Sequence, residues 1–267
     1  MILPPVGDES PAPAATERAR RDIEFHRLTA TSYDDSVTRE HAIYHQHSLV
    51  PWLATVGGTG AAVDLGCGTG VVSIALAERG FRVTGIDHSP EMLGQARSKV
   101  EAAGLGERVD LREGSVLDPG IPPGSADVVT CQGLLHHLDD LDPCVDVIAR
   151  TLRPGGSFYI SDPTAEPAPP GRVVAAAIEL AKRVRRALRR GDRPDPPESG
   201  EAPVRWPDLA AALDRNGLEY EAEFITHIPL IHTFVPDRMR LRLELAVSRP
   251  WRRRRGDLVF VTGRKPG

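Results

Sequence analysis

The sequence predicts an α/β fold: a seven-stranded, mostly parallel sheet with helices on both faces. Three observations carry this. Short apolar runs alternate with helical stretches, a glycine cluster follows the first run, and an acid ends the second. Alternation of this kind implies parallel strands joined by helical crossovers.

The elements follow in order. Residues 1–20, rich in Pro, Ala and charge, predict a flexible tail. Residues 21–56 read as N-terminal cap helices anchored by Phe25, Leu28, Ile43, Leu49 and Trp52, and Gly57, Gly58 and Gly60 end them. Strands are expected at residues 61–65, 81–86, 109–112, 126–130 and 157–161. Helices are expected at 71–79, 90–103 and 141–152, with Ser89 as an N-cap and Pro90 at the first helical position. Pro154, Gly155 and Gly156 read as the turn into the fifth strand. A proline-rich linker then leads to residues 172–190, where Val173, Ala177, Leu180 and Val184 share one helical face and Lys182, Arg183, Arg185, Arg186, Arg189 and Arg190 the other. A loop, a short helix at 206–216, a sixth strand at 218–228, a helix at 236–247 and a seventh strand at 257–263 complete the chain. The expected organisation is therefore tail 1–20, cap helices 21–56, ligand-binding core 57–163, a variable cap insertion 164–216 and closing strands 217–267.

Composition bounds the function. The 267 residues are 40% apolar, enough for one large core. No apolar run approaches the ~18–20 residues that cross a bilayer. The opening Met-Ile-Leu-Pro-Pro lacks the basic and apolar regions of a secretory signal. Cys67, Cys131 and Cys144 are spaced for neither a disulfide framework nor a zinc site, so a reducing cytoplasm is expected. Net charge is −4 but uneven: residues 1–170 carry 13 Lys/Arg against 24 Asp/Glu, and residues 171–267 carry 20 against 13. The basic part either meets an acidic acceptor or is a solvated Arg-rich surface. Beside the basic run at 252–255 stands Trp251 but no series of aromatics for base stacking, so no nucleic-acid partner is expected.

Chemistry concentrates at strand ends. Gly66, Gly68 and Gly70 follow a buried strand and open a helix. Glycine permits left-handed backbone and close ligand approach, and the helix start offers free N–H groups. The spacing is G-x-G-x-G, whereas dinucleotide sites use G-x-G-x-x-G, which disfavours an NAD(P) oxidoreductase. Asp87 ends the second strand, 23 residues after Asp64. An acid so placed accepts both ribose hydroxyls of an adenosine. His136 and His137 follow the fourth strand and titrate near neutrality, which makes them candidate general bases; the structural alternative is ring packing. Asp139, Asp140 and Asp162 are not gathered by any pattern, and no metal is expected.

The segment Ala62 to Gly70 resembles the first motif of class I S-adenosylmethionine (SAM)-dependent methyltransferases. Four further segments agree in order and spacing: Val83–Leu93, Glu113–Val116, Val128–Leu138 and Leu152–Gly156. The likeness covers about residues 60–163 and the seventh strand, and looks nearest to small-molecule enzymes of ubiquinone and menaquinone biosynthesis. It implies a Rossmann-like fold with SAM as cofactor. By resemblance, Asp64 and the backbone of Gly66, Cys67, Gly68, Thr69 and Gly70 hold the amino-acid end, and Asp87 holds the ribose. His88 and Met92 flank ribose and adenine, Gly114, Ser115 and Val116 border the adenine, and Cys131 and Gln132 line the methionine part. Tyr33 closes the site from the N-terminal helix. Ser115 stands where many relatives have aspartate, which puts an adenine hydrogen bond in doubt. The resemblance implies a small-molecule substrate methylated on O, N or C and, for a chain so rich in Ala, Arg and Pro, a place in secondary metabolism; the six basic residues on one face of 172–190 add the expectation of an anionic or carrier-bound substrate, and the chain is expected as a monomer or homodimer. Two alternatives share the motifs: a SAM-binding cyclase or rearrangement catalyst without methyl transfer, and an RNA or protein methyltransferase.

Overall fold

The computed structural model describes residues 30, 44–166, 202–226, 237–249, 253 and 255–267. Seven strands form one sheet: β1 (Gly60–Leu65), β2 (Phe81–Asp87), β3 (Val109–Glu113), β4 (Ala126–Gln132), β5 (Leu152–Pro163), β6 (Glu219–Ile225) and β7 (Leu258–Arg264). Their order is β3-β2-β1-β4-β5-β7-β6. The first five are parallel neighbours, and β7 enters antiparallel between β5 and β6. This is the expected Rossmann-like sheet.

Helices α1 (Val50–Leu53), α2 (Val71–Glu78), α3 (Pro90–Ala102), α4 (Asp142–Thr151), α5 (Trp206–Arg215) and α6 (Asp237–Ser248) complete the described elements, with a π-helical turn at His45–Leu49 and a 3₁₀ turn at Leu135–His137. Local chemistry sets their ends. Ser89 Oγ accepts the Met92 N–H at 3.2 Å, and Pro90 occupies the first position of α3, where its missing N–H costs nothing. Gly80, at φ +104°, ends the turn after α2.

Two apolar layers sandwich the sheet. On one face α4 and α5 pack Val145, Ile148, Leu209 and Leu213 against Leu65, Val129, Phe158 and Ile160. On the other, α1, α2 and the segment before them pack Leu49, Trp52, Val72 and Leu76 against Val83, Val128, Tyr159 and Phe260. Burying each such large side chain stabilises the fold by about 1.5–3 kcal/mol. Tyr44 donates to the fully buried Glu244 carboxylate at 3.0 Å, and His47 Nε2 lies 2.8 Å from Glu223 Oε1. These contacts bind the N-terminal segment to α6 and β6.

One expectation is corrected. Pro154–Gly156 does not turn the chain into a new strand but lies inside the continuous β5. Ala126 pairs with Leu152 and Val128 with Ser157, so the extra residues bulge out of the ladder. The tail, most of the cap helices including Phe25 and Tyr33, the basic helix at 172–190, and His227, His232, Trp251 and Arg252 lie outside the described residues. Among the described residues no helix is long and apolar enough to cross a membrane.

Candidate functional site

The strand order places the site. From β1 the chain steps outward through β2 to β3, then returns to β4 on the other side of β1. Ligands of open parallel sheets bind at that reversal, beyond the carboxyl ends of the strands. The turns after β1 and β4 carry the glycine cluster and the histidine pair, so the topology brings both motifs to one crevice.

The glycine turn is held from beneath. Gly66 and Cys67 both donate N–H to the Ile86 carbonyl, at 2.8 and 3.0 Å, and Gly70 donates to Cys67 O at 2.8 Å. Gly66, Gly68 and Gly70 all adopt positive φ, at 68°, 50° and 81°. Their surroundings differ. A Cβ on Gly66 would sit 2.9 Å from Leu134 Cδ1, whereas one on Gly68 meets only Met92 Cε at 3.4 Å. Around the same crevice, a Cβ on Gly114 meets nothing nearer than 3.9 Å and one on Gly133 nothing within 4 Å. The ends of β1, β3 and β4 thus form a glycine-lined cradle, crowded by Leu134 at Gly66, bordered by Met92 at Gly68 and open at Gly114 and Gly133, and such backbone fits the adenosyl ligand the motifs imply. The two glycines are expected to fail differently. Gly66→Ala pushes Leu134 aside in a left-handed backbone and should cost about 1–3 kcal/mol in thermal unfolding. Gly68→Ala should lose less stability but more ligand affinity, because its methyl points into the cradle; unfolding scans with and without S-adenosylhomocysteine (SAH) separate the two.

Asp87 ties the crevice together. It is 8% exposed, and its carboxylate accepts Gly68 N–H at 2.8 Å and Ser89 N–H at 2.9 Å. Its carbonyl accepts Gly114 N–H at 3.0 Å. The His88 ring, largely exposed, lies 3.9 Å from the same carboxylate. Met92 and Thr69 are buried beside the turn. Ser115 is exposed, its Oγ accepting the Leu117 N–H at 3.2 Å, and Val116 packs half-buried on the core.

Asp64 is buried in β1, accepting Ser73 Oγ–H at 2.6 Å and Thr130 Oγ1–H at 2.7 Å. Burial pushes its carboxyl up from 3.8 to about 6; the two hydroxyls oppose the rise and the Asp87 charge adds to it. In the unfolded chain this acid ionises near its ordinary value, so its contribution to stability is full below about pH 4 and is lost as pH rises through about 6. Above that the ionised form costs on the order of 2–3 kcal/mol. Asp64→Asn is therefore expected to flatten this part of the stability–pH curve and to raise the unfolding temperature at pH 8, as measured by thermal denaturation across pH 4–8.

At the end of β4, Cys131 is fully buried and its side chain faces α4: contact with the Cys144 thiol, then burial, hold its own thiol well above the usual range. It offers the crevice only backbone. Gln132, half-buried, ends the strand, and Gly133 donates N–H to Ser161 O at 2.8 Å. The next turn is organised by an acid the sequence reading left unassigned. Asp162, wholly buried in β5, accepts N–H from Leu134 (3.2 Å), Leu135 (3.0 Å) and His136 (3.0 Å), and lies 2.6 Å from His136 Nδ1. The His136 and His137 rings touch, their centroids 3.9 Å apart and their planes tilted by 40°. The parallel pairing of Gln132 with Ser161 sets Asp162 beside the loop that leaves β4, a neighbourhood that the sequence alone does not signal. Among the described residues no three His, Cys, Asp or Glu side chains gather as a metal site.

Residues 63–160 match the family described as a methyltransferase domain. A ubiquinone biosynthesis O-methyltransferase of Xanthomonas euvesicatoria is 35% identical over 160 residues, which is 60% of this chain and 62% of that relative. One from Xanthomonas campestris is 37% identical over 140 residues, 52% of this chain and 56% of the relative. The matches thus span less than two thirds of these relatives' own length. Among solved structures, a Haemonchus contortus phosphoethanolamine N-methyltransferase, in complex with S-adenosylhomocysteine, superposes with a TM-score of 0.61 at 16% identity, covering 96% of this chain and 62% of that one. That likeness shows the fold alone. Over residues 63–160 the chain is thus similar to methyltransferase domains, and the sheet order and the glycine turn agree with that likeness.

Proposed function

We propose that this chain is a class I SAM-dependent methyltransferase and that it transfers a methyl group from SAM to a hydroxyl of a small-molecule acceptor. The reading rests most heavily on one observation: a left-handed glycine turn at the sheet reversal, whose Gly68 N–H is held by the Asp87 carboxylate. Asp87 would accept the ribose hydroxyls, and the Gly66–Gly70 backbone with Asp64 the amino-acid end. His88 and Met92 would border the ribose and adenine, with Gly114, Ser115 and Val116 along the adenine and Gln132 beside the methionine chain. SAM supplies a methyl already activated by its sulfonium, so the protein's task is to align the nucleophile and exclude water.

His136 is our candidate general base, on the 3₁₀ turn that borders the cradle. The Xanthomonas relatives are named O-methyltransferases, and an oxygen nucleophile, which must lose a proton, accords with a base there. By resemblance we place the acceptor in secondary metabolism and read the insertion after β5 as a substrate cap, and by cysteine usage we place the protein in the cytoplasm. The test is methyl transfer from labelled SAM to a panel of phenolic and catecholic acids. Label in an ether product supports the reading. No labelled product from any acceptor, beside tight SAM binding, would favour a non-methylating catalyst on this fold.

A further inference from the structure

We infer that the Tyr159 hydroxyl, flanked by Ser48 and Ser161 near the carboxyl end of β5, is a binding group for the methyl acceptor and donates a hydrogen bond to a neutral oxygen of it, a carbonyl. The inference rests on the methyl-transfer reading above and names a chemical feature of its substrate.

Tyr159 is wholly buried in β5, its ring packed on Trp52 with centroids 5.3 Å apart. Its hydroxyl finds no hydrogen-bond partner among the described residues. Proteins rarely keep a buried hydroxyl unpaired, because its lost hydration goes uncompensated. A phenylalanine would fill the same space, so packing does not account for the oxygen. Tyr159 and Ser161 share one face of the sheet, as alternate strand residues do. Ser48 belongs to the π-helical turn His45–Leu49 that lies over that face. Burial pushes the Tyr159 pKa up to about 12; the Ser48 and Ser161 hydroxyls beside it oppose the rise, and the Glu223 charge adds to it. At neutral pH the group is therefore a proton-bearing donor.

The hydroxyl adjoins the donor crevice. Ser161 pairs with Gln132, one strand spacing (about 4.8 Å) away, and its carbonyl accepts Gly133 N–H. A Cβ on Gly133 meets nothing within 4 Å. Ser48 and Ser161 are only half-buried, so an oxygen arriving beside Gly133 reaches Tyr159 once the two serine side chains turn. Charge sets the class of that oxygen. Glu223, 2.8 Å from His47 Nε2, acts on the hydroxyl as a negative charge. A carboxylate or phosphate there meets repulsion, whereas a carbonyl accepts from Tyr159 and the serines at no such cost. The single strand spacing to Gln132 sets the carbonyl close to the hydroxyl that is methylated.

The experiment uses the full chain saturated with S-adenosylhomocysteine and three probes of similar shape. These are 3′-hydroxyacetophenone, 3-ethylphenol, which lacks the carbonyl, and 3-hydroxybenzoate, which carries a charge. NMR titration gives their dissociation constants. Wild type should bind the ketone about 5–10-fold more tightly than the ethyl compound, the range of one neutral hydrogen bond, and more tightly than the benzoate. In Tyr159→Phe the ketone and the ethyl compound should bind alike, with SAH affinity within about twofold of wild type. The variant should also unfold at or above the wild-type temperature, because the hydroxyl it loses is unpaired. A carbonyl preference that survives in Tyr159→Phe, with a lowered unfolding temperature or without one, overturns the inference. So does a wild type that binds the ketone and the ethyl compound equally, prefers the benzoate or binds none of the three. Failure of SAH to bind would instead sink the methyl-transfer reading, and the same titrations on the unliganded chain then decide the role of Tyr159.

Discussion

Replacing Asp87 with alanine is expected to weaken SAM and SAH binding by about 10²–10³-fold without unfolding the protein. The carboxylate stands at the end of β2 and faces the cradle while holding Gly68 and Ser89 N–H groups. Hydrogen bonds to a charged group contribute about 1.5–3 kcal/mol each, and two ribose hydroxyls would lose theirs together. Part of the loss is indirect: Gly68 N–H forfeits its acceptor, and the turn loses its tie to β2. The fold survives because the strand is paired on both sides, with β1 and with β3. Calorimetric titration of wild type and variant checks this. A loss below tenfold would mean that the ribose is held elsewhere.

The second large effect belongs to the histidines. His136→Gln is expected to lower kcat with a phenolic acceptor by about 10²–10⁴-fold while SAM affinity is retained. The same change at His137 should cost far less, because it is His136 that contacts the Asp162 carboxylate. Steady-state kinetics of the two variants at saturating SAM make the comparison. Equal losses would indicate that the two touching rings act as a packing unit and that neither is the base.

Most of the sheet was legible because parallel strands are buried on both faces and read as apolar runs. Residues 61–65 were of this kind, closed by glycine, while residues 81–86, with Arg82 exposed, were marked instead by Phe81, Val83 and Ile86 and the closing Asp87. The glycine turn was legible because three positive φ angles within five residues leave little choice of residue. What remained hidden depends on contacts between distant positions. Asp162 and His136 lie 26 residues apart and meet only because β5 pairs beside β4. The facing of Cys131 towards Cys144 depends on which side α4 covers, and the strand's own pattern, buried on nearly every residue, does not say. The Pro154–Gly156 segment misled because a proline and two glycines normally end an element. Here a register shift absorbs them as a bulge inside β5.

Calorimetric titration of the full chain with SAM, SAH and NADH is the most direct test of the donor site. Micromolar binding of both adenosyl-sulfur compounds, with none for NADH, is the predicted result. Binding of NADH alone, or of none of the three, would contradict the account and return the glycine turn to a general feature of the fold.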